Sequence, residues 1–150
     1  MRVVVQRVTS ASVNIGGQPK SSIGKGLLVL LGIGPDDSSA DADWLVKKIA
    51  QLRVFDDKSG VMNLSVCDVD GEVLIVSQFT LMASYKKGNR PSYIHAAHPT
   101  LAIPLYEYFC KKMSQTIGKE VGTGEFGADM QVSLVNDGPV TICMDSKYPE

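Results

Sequence analysis

The sequence predicts a mixed α/β domain in which helices pack on a sheet. Strand-like patterns fill the first third of the chain, helical periodicity occurs twice further on, and the last third returns to alternating patterns. Apolar residues make up 44% of the 150 residues and charged residues 21%, which excludes a disordered chain. This length fits one domain over residues 1–150.

The amino-terminal third carries two kinds of strand pattern. Residues 3–8 begin a valine-rich run, and residues 11–15 alternate apolar with polar, which is typical of a half-buried strand. Gly16-Gly17 then turns the chain. Residues 27–31 are continuously apolar, which predicts a strand that is covered on both faces.

Two segments have helical spacing. Leu45, Ile49 and Leu52 fall on one face of a helix, so residues 40–52 are predicted to be helical. Pro99 suits the first turn of a second helix. The buried side of that second helix is predicted to carry Leu101, Leu105, Tyr108, Phe109 and Met113.

Further strands are predicted in the second half. Asp70-Gly71 is a turn signal between residues 66–69 and 72–76, which predicts a hairpin whose second arm runs on into residue 81. Residues 130–134 and 140–144 alternate as strands. The Asn-Asp-Gly-Pro between them is predicted to interrupt the pairing, because proline donates no ladder hydrogen bond.

Charge and cysteine content exclude several classes of protein. Fifteen basic residues against 16 acidic ones give a net charge of -1, so any grip on nucleic acid has to be local. Three cysteines without close spacing predict reduced thiols and no disulfide framework. The longest apolar run, residues 26–32, is too short to span a bilayer, and the first residues do not read as a secretion signal. We therefore expect a cytoplasmic protein without a membrane partner.

A basic loop between two tyrosines is a candidate nucleic-acid site. Lys86, Lys87 and Arg90 lie between Tyr85 and Tyr93. Cations bind phosphates and aromatic rings stack on bases, so a non-catalytic nucleic-acid-binding protein is one interpretation. A solvated surface loop is the other.

Catalytic side chains are scarce. His95 and His98 lie three residues apart, but no cysteine or carboxylate nearby completes a metal site, so we expect exposed histidines at a helix entry and no metal. Ser77 and Thr80 could serve a Ser/Thr ester hydrolase with a histidine base, although the chain lacks the Gly-x-Ser-x-Gly elbow. Gly138-Pro139 can be a bulge, or a rigid turn that presents two carbonyl groups to a ligand.

Two motifs carry a resemblance to a known family. Residues 77–81, Ser-Gln-Phe-Thr-Leu, together with residues 136–141, Asn-Asp-Gly-Pro-Val-Thr, resemble the paired signature of the D-aminoacyl-tRNA deacylases. Similar segments elsewhere extend the resemblance over nearly the whole chain, namely residues 6–8, 26–32, 62–64, 88–92 and 126–132.

The resemblance implies a fold, an activity and an assembly. Family members hydrolyse the ester between a D-amino acid and the terminal adenosine of tRNA, and they remove glycine from mischarged tRNA, without a cofactor. They are homodimers of a three-layer α/β/β fold with a barrel-like β core. Their Gly-cisPro turn enters the active site of the partner subunit, so that the two chains share each site.

The resemblance also assigns roles to residues of this chain. The catalytic pocket would be lined by Ser77, Gln78, Phe79 and Thr80. Chiral selection would fall to Gly138 and Pro139, with Arg7 bracing their turn, and the adenosine would lie near Phe126, Ala128 and Met130. The basic loop with Lys86, Lys87 and Arg90 would bind tRNA. No base lies beside Thr80 in the sequence, so we favour a substrate-binding role for it over a nucleophilic one.

Overall fold

The first strand organises the sheet in the computed structural model, which describes residues 1–150. β1 (Arg2–Ile15) pairs antiparallel along one edge with β8 (Met130–Asp145). Its other edge pairs with β3 (Gly26–Gly32) over its first half and with β2 (Gln18–Ile23) over its second half. A single long strand therefore joins all these parts of the sheet.

The far side of the sheet is parallel and curls back. β6 (Glu72–Ser77) pairs parallel with β3, and the short β7 (Gly122–Thr123) pairs parallel with β6. β7 comes next to β2, where the Ser21 hydroxyl donates a hydrogen bond to the Thr123 carbonyl. The ends of the sheet thus nearly meet, which confirms the predicted barrel-like β core.

Two α-helices cover one face of this sheet. α1 (Ser39–Ala50) and α2 (Pro99–Ile117) confirm the two helices that the spacing predicts, and they pack against each other. His98 precedes α2, and its Nδ1 accepts the Thr100 N–H at 3.4 Å. Neither helix has the length and hydropathy to cross a membrane. The smaller β4 (Phe55–Asp56) and β5 (Met62–Leu64) form a separate ribbon.

The two faces of β3 and β6 enter different cores, because alternate residues of a strand point to opposite faces. The core under the helices includes Leu27, Val29, Leu31, Val73 and Ile75, together with Phe109 of α2. The inner core, enclosed by the curled sheet, includes Val8, Val13, Leu28, Leu74 and Val76. Burial on both faces is the reason that residues 27–31 are continuously apolar.

The hairpin predicted around Asp70-Gly71 is wrong. Residues 66–70 form a turn and supply no first arm, and β6 pairs with β3 instead. Asp70 does take a left-handed turn conformation, with a φ of 51°. The turn signal was therefore sound, but the apolar stretch of β6 is buried on both faces, which suits a parallel sheet better than a hairpin.

Two further local predictions need correction, and one is confirmed. β6 ends at Ser77, and a 3-10 turn, Phe79–Met82, follows where the strand was expected to continue. The predicted interruption of pairing is confirmed, because residues 137–140 have no partner on β1 and the register shifts opposite residues 6–10, although β8 continues on both sides as one strand. Leu101 is 36% exposed, since the buried face of α2 begins at Ala102.

Candidate active site

A cavity of about 240 Å³ opens at the carboxyl end of β6. Two segments far apart in the sequence meet there, and they contribute Val76, Ser77, Gln78, Phe79, Phe126, Gly127, Ala128, Met130 and Val132. Val76, Met130 and Val132 also pack in the inner core, so the cavity lies at the open end of that core. Curling of the sheet is what brings the two segments together.

The cavity is electrically neutral. None of its lining side chains ionises, and its polar groups are the Ser77 hydroxyl and the Gln78 amide. Gln78 Nε2 donates a hydrogen bond to Oγ1 of Thr80, which lies on the adjoining 3-10 turn. An amide N–H cannot take a proton, so this contact orients the Thr80 hydroxyl without activating it as a nucleophile.

The 3-10 turn beside the cavity is fixed at both ends. The Gln78 N–H donates to the Leu31 carbonyl at 2.7 Å, and Arg2 Nη1 donates to the Leu81 carbonyl at 3.3 Å. Phe79 projects between these anchors at the mouth and is 54% exposed. Its ring meets the ring of Tyr93 edge-on, with the centroids 4.9 Å apart. The mouth of the cavity is therefore joined to the basic loop.

Tyr106 of α2 supports the opposite wall from behind. Its ring packs against Phe126 with the centroids 6.2 Å apart, and its hydroxyl donates to the Ile75 carbonyl at 2.8 Å. Burial, with a smaller contribution from Cys110, raises the pKa of Tyr106 well above its ordinary value. Burial also raises the pKa of the Cys110 thiol to about 12. Both groups stay neutral at physiological pH, so the wall behind Phe126 adds no charge to the site.

The Gly138–Pro139 peptide bond is cis, and the turn lies outside the cavity. Both residues are exposed. Gly138 has a φ of 124°, which L side chains rarely adopt, and a Cβ there would lie 2.8 Å from Cγ2 of Val140 and 3.0 Å from Nη2 of Arg7. Position 138 therefore requires glycine.

Arg7 is buried behind this turn and holds it in place. Only 7% of Arg7 is exposed. Its Nε donates to the Asp137 carbonyl at 3.1 Å, and its Nη1 donates to the Val54 carbonyl at 2.6 Å. Carboxylate oxygens of Asp56 and Asp137 lie 3.4 and 3.2 Å from the guanidinium and balance its charge. The turn is thus tied to the body of the domain by the planar fork of an arginine.

The basic loop presents free cations, and Tyr93 at its end contacts Phe79 of the cavity. Paired hydrogen bonds of 2.8 Å between Ser84 and Ser92 close the loop. Lys86, Lys87 and Arg90 are exposed, and none of them forms a salt bridge. These charges are available to an anionic partner that reaches the cavity.

The structure brings together six of the predicted site residues in one cavity, namely Ser77, Gln78, Phe79, Phe126, Ala128 and Met130. Thr80 lies beside the cavity, whereas Gly138, Pro139 and Arg7 lie apart from it in the same chain. Sequence reasoning missed Tyr106, which packs behind Phe126, and Gly124, where an added Cβ would meet the Met130 side chain. The density of glycines over residues 118–127 was a signal of close packing there, but it does not say which neighbour comes close.

Comparison with known sequences points to one family. A family model described as D-Tyr-tRNA(Tyr) deacylase matches residues 4–145. A D-aminoacyl-tRNA deacylase of Bacteroides thetaiotaomicron is 65% identical over 150 residues, which is all of both chains. One of Flavobacterium johnsoniae is 59% identical, again over the whole of both chains.

Two solved structures share the fold. One, described as a c-Myc DNA unwinding element binding protein, is 45% identical with a TM-score of 0.92, and the match covers 97% of this chain and 98% of that one. The other, described as a probable eukaryotic D-amino acid tRNA deacylase, is 16% identical with a TM-score of 0.83 over 95% of this chain and 97% of that one. The second likeness supports the fold alone.

The Arg7 contacts lead to a testable prediction. Arg7→Lys keeps the charge but cannot reach the Asp137 and Val54 carbonyls together, so we expect a loss of about 1–3 kcal/mol in unfolding free energy. Amide hydrogen exchange of Val140 should rise as the turn loosens. Urea unfolding and exchange mass spectrometry measure the two effects.

Arg2→Lys is the matched control, because Arg2 lies on the same strand with a side chain that is 45% exposed. Arg2→Lys should lower the free energy of unfolding by less than about 1 kcal/mol and leave the amide of Val140 in the Gly138-Pro139 turn protected from exchange. Equal effects of the two substitutions would show that Arg7 has no special hold on the turn.

Proposed function

The chain belongs to the D-aminoacyl-tRNA deacylase family and is a hydrolase, and we propose that it clears D-amino acids and glycine from tRNA in a site shared by two copies of the chain. The observation that carries this proposal is the neutral cavity in which Ser77, Gln78 and Phe79 meet Phe126 and Met130. Its aromatic and thioether wall suits a nucleobase, and its polar edge suits an aminoacyl ester.

The chemistry that we propose needs little from side chains. A water molecule attacks the carbonyl carbon of the ester, and the bond between that carbon and the ribose oxygen breaks. The released ribose oxygen takes up the proton that the water loses. An aminoacyl ester is already activated, so ordered water and backbone N–H groups that face the developing oxyanion supply much of the stabilisation. The neighbouring ribose hydroxyl of the substrate relays the proton. Thr80 then binds substrate and forms no covalent bond.

Chirality is read, in this proposal, by the Gly138-Pro139 turn of the partner subunit. Two backbone carbonyls held against the α-carbon leave room for hydrogen and none for a side chain, so an L-residue would clash there. Glycine has two hydrogens on its α-carbon, so a glycyl ester also fits without a clash. Rigidity is essential to such a filter, and the buried Arg7 behind the turn supplies it.

The free edge of β8 supports the shared site. No strand of this chain pairs with the outer edge of β8, and the turn on this strand is exposed. Leu134 and Val135 on the same strand are 36% and 56% exposed. An unpaired strand of this length with apolar side chains is suited to pairing with a second copy.

The decisive experiment compares esters of opposite chirality. We expect the wild type to hydrolyse D-Tyr-tRNA and Gly-tRNA and to spare L-Tyr-tRNA. Thr80→Ala should keep at least about a tenth of the wild-type kcat, because a single neutral hydrogen bond is worth only about 1 kcal/mol. Release of the labelled amino acid is the measurement.

Two results would contradict this prediction. A wild type that hydrolyses none of the three esters would overturn the proposed function. Aminoacyl-Thr80 trapped by acid quench, or a Thr80→Ala variant that binds tRNA but has lost all activity, would overturn only the binding role of Thr80.

Subunit mixing tests the shared site. Ala128→Trp fills the cavity of about 240 Å³ with a large ring, and Gly138→Val damages the turn because it adds a clash at a φ of 124°. Each variant alone should be nearly inactive. An equal mixture after subunit exchange should recover about one quarter of the wild-type activity, since half the dimers are mixed and each holds one intact site.

Native mass spectrometry would count the mixed dimers in the same sample. Mixed dimers without recovered activity would show that each chain uses its own turn, and a purely monomeric protein would exclude the arrangement altogether.

A nucleic-acid-binding role without catalysis is the second candidate. It is favoured by the 45% identical structure described as a DNA unwinding element binding protein and by the unpaired cations of the basic loop. In the deacylase proposal the same loop binds the tRNA backbone near the cavity mouth.

Neutralising the loop separates the two roles. We expect Lys86→Gln, Lys87→Gln and Arg90→Gln together to raise KM for D-Tyr-tRNA and to flatten its salt dependence by up to about one unit of slope per lost phosphate contact. The ratio of D to L hydrolysis should stay the same, because phosphates carry no chirality at the α-carbon. Lys111→Gln with Lys112→Gln tests α2, which is the next candidate surface for tRNA. An unchanged KM and salt slope in the loop variant would show that the loop does not bind tRNA.

A further inference from the structure

Gly124 lies directly against the side chain of Met130, a residue of the cavity wall. A Cβ on Gly124 would come within 2.5 Å of the Met130 sulfur and 3.5 Å of its terminal methyl group. The Met130 sulfur also accepts the Glu125 N–H at 3.4 Å. The Met130 thioether therefore packs directly against the backbone of residue 124, which is possible only because that residue has no side chain.

The backbone at Gly124 has no freedom to retreat from an added methyl group. Its N–H donates to the Ile75 carbonyl at 3.2 Å, and the preceding Thr123 is paired with Ile75 in the sheet. The Tyr106 hydroxyl bonds the same Ile75 carbonyl from behind. Because the strand is fixed, an alanine at position 124 would move the flexible Met130 side chain instead.

We propose that Gly124 is a positioning residue that seats Met130 in the cavity wall and thereby sets the room available to the terminal nucleoside of the substrate. The nucleoside part of this inference rests on the proposed function. Displaced by an alanine methyl group, the Met130 side chain would turn into a cavity of only about 240 Å³. Gly124 does not touch substrate itself and acts through Met130.

Gly122, two residues earlier and within β7, provides a control substitution of the same kind. A Cβ there would lie 3.0 Å from Cδ1 of Leu74 and 3.4 Å from Cγ2 of Ile23, which are both in the inner core. Gly122→Ala therefore crowds the core as Gly124→Ala crowds the wall. Neither glycine has a positive φ, so alanine is compatible with the backbone at both positions.

The test combines a structural readout with kinetics. In protein labelled with ¹³C at the methionine methyl groups, Gly124→Ala should shift the Met130 resonance and Gly122→Ala should leave it in place. For D-Tyr-tRNA, we expect Gly124→Ala to raise KM by about tenfold with kcat changed less than about twofold, as for other small misfits in a binding pocket.

Repeating the Gly124→Ala substitution in a Met130→Val variant tests whether its effect depends on the Met130 side chain. In Met130→Val the long side chain is gone, so adding Gly124→Ala should change KM by less than about twofold. If Gly124→Ala alone does not fold, recovery of folding in the double variant supports the same contact, and failure to recover would contradict it.

Two outcomes would overturn the inference. One is an unmoved Met130 resonance in Gly124→Ala, and the other is an equal rise in KM with and without Met130. A wild type without deacylase activity would overturn the proposed function and the nucleoside role with it. The methyl resonance would still decide whether Gly124 seats Met130.

Discussion

Burial of β3 and β6 on both faces is the constraint on which the rest of the structure depends. Their alternating side chains need apolar cover on each side, and no single layer of helices supplies that. The helices cover one face, and the sheet curls to cover the other with its own strands. The cavity lies where this curl stays open, at the end of β6, so its position follows from how the core is closed.

The candidate active site and the cationic side chains lie in different parts of this molecule. The cavity has no ionising side chain, whereas the cations lie on the basic loop and Arg7 lies behind the turn. A neutral, partly enclosed site strengthens the hydrogen bonds that backbone and amide groups make inside it. A substrate that brings its own activated ester and its own hydroxyl groups needs such a site more than it needs a catalytic base. In the proposed function, the phosphates of the substrate are bound by the exposed basic loop.

Local patterns in the sequence predicted both helices and the doubly buried β3, whereas most of the cavity lining was predicted from the resemblance to a family. The local patterns failed where pairing was decided by distant residues. Asp70-Gly71 is a turn, yet β6 pairs with β3, because the free energy of burying both faces outweighs a local hairpin signal. Gly124 was visible only as one of several glycines, since its close neighbour, Met130, is brought to it by the fold. The motif Ser77–Thr80 could be placed in the site from its resemblance to a family, but the support from Tyr106 could not, because a tyrosine on a helix face reads as ordinary core.

Arg7 holds in place a turn that lies outside the cavity of its own chain. An exposed loop is ordinarily mobile, and a mobile loop cannot discriminate a hydrogen from a methyl group at the α-carbon. Arg7 removes that mobility at the cost of burying a cation, which Asp56 and Asp137 compensate. Within one chain the turn lines no wall of the cavity. The free-energy cost of burying Arg7 is explained if, as proposed, the turn completes a site on a second copy. The unpaired edge of β8, on the same strand as the turn, provides a surface on which that copy can dock.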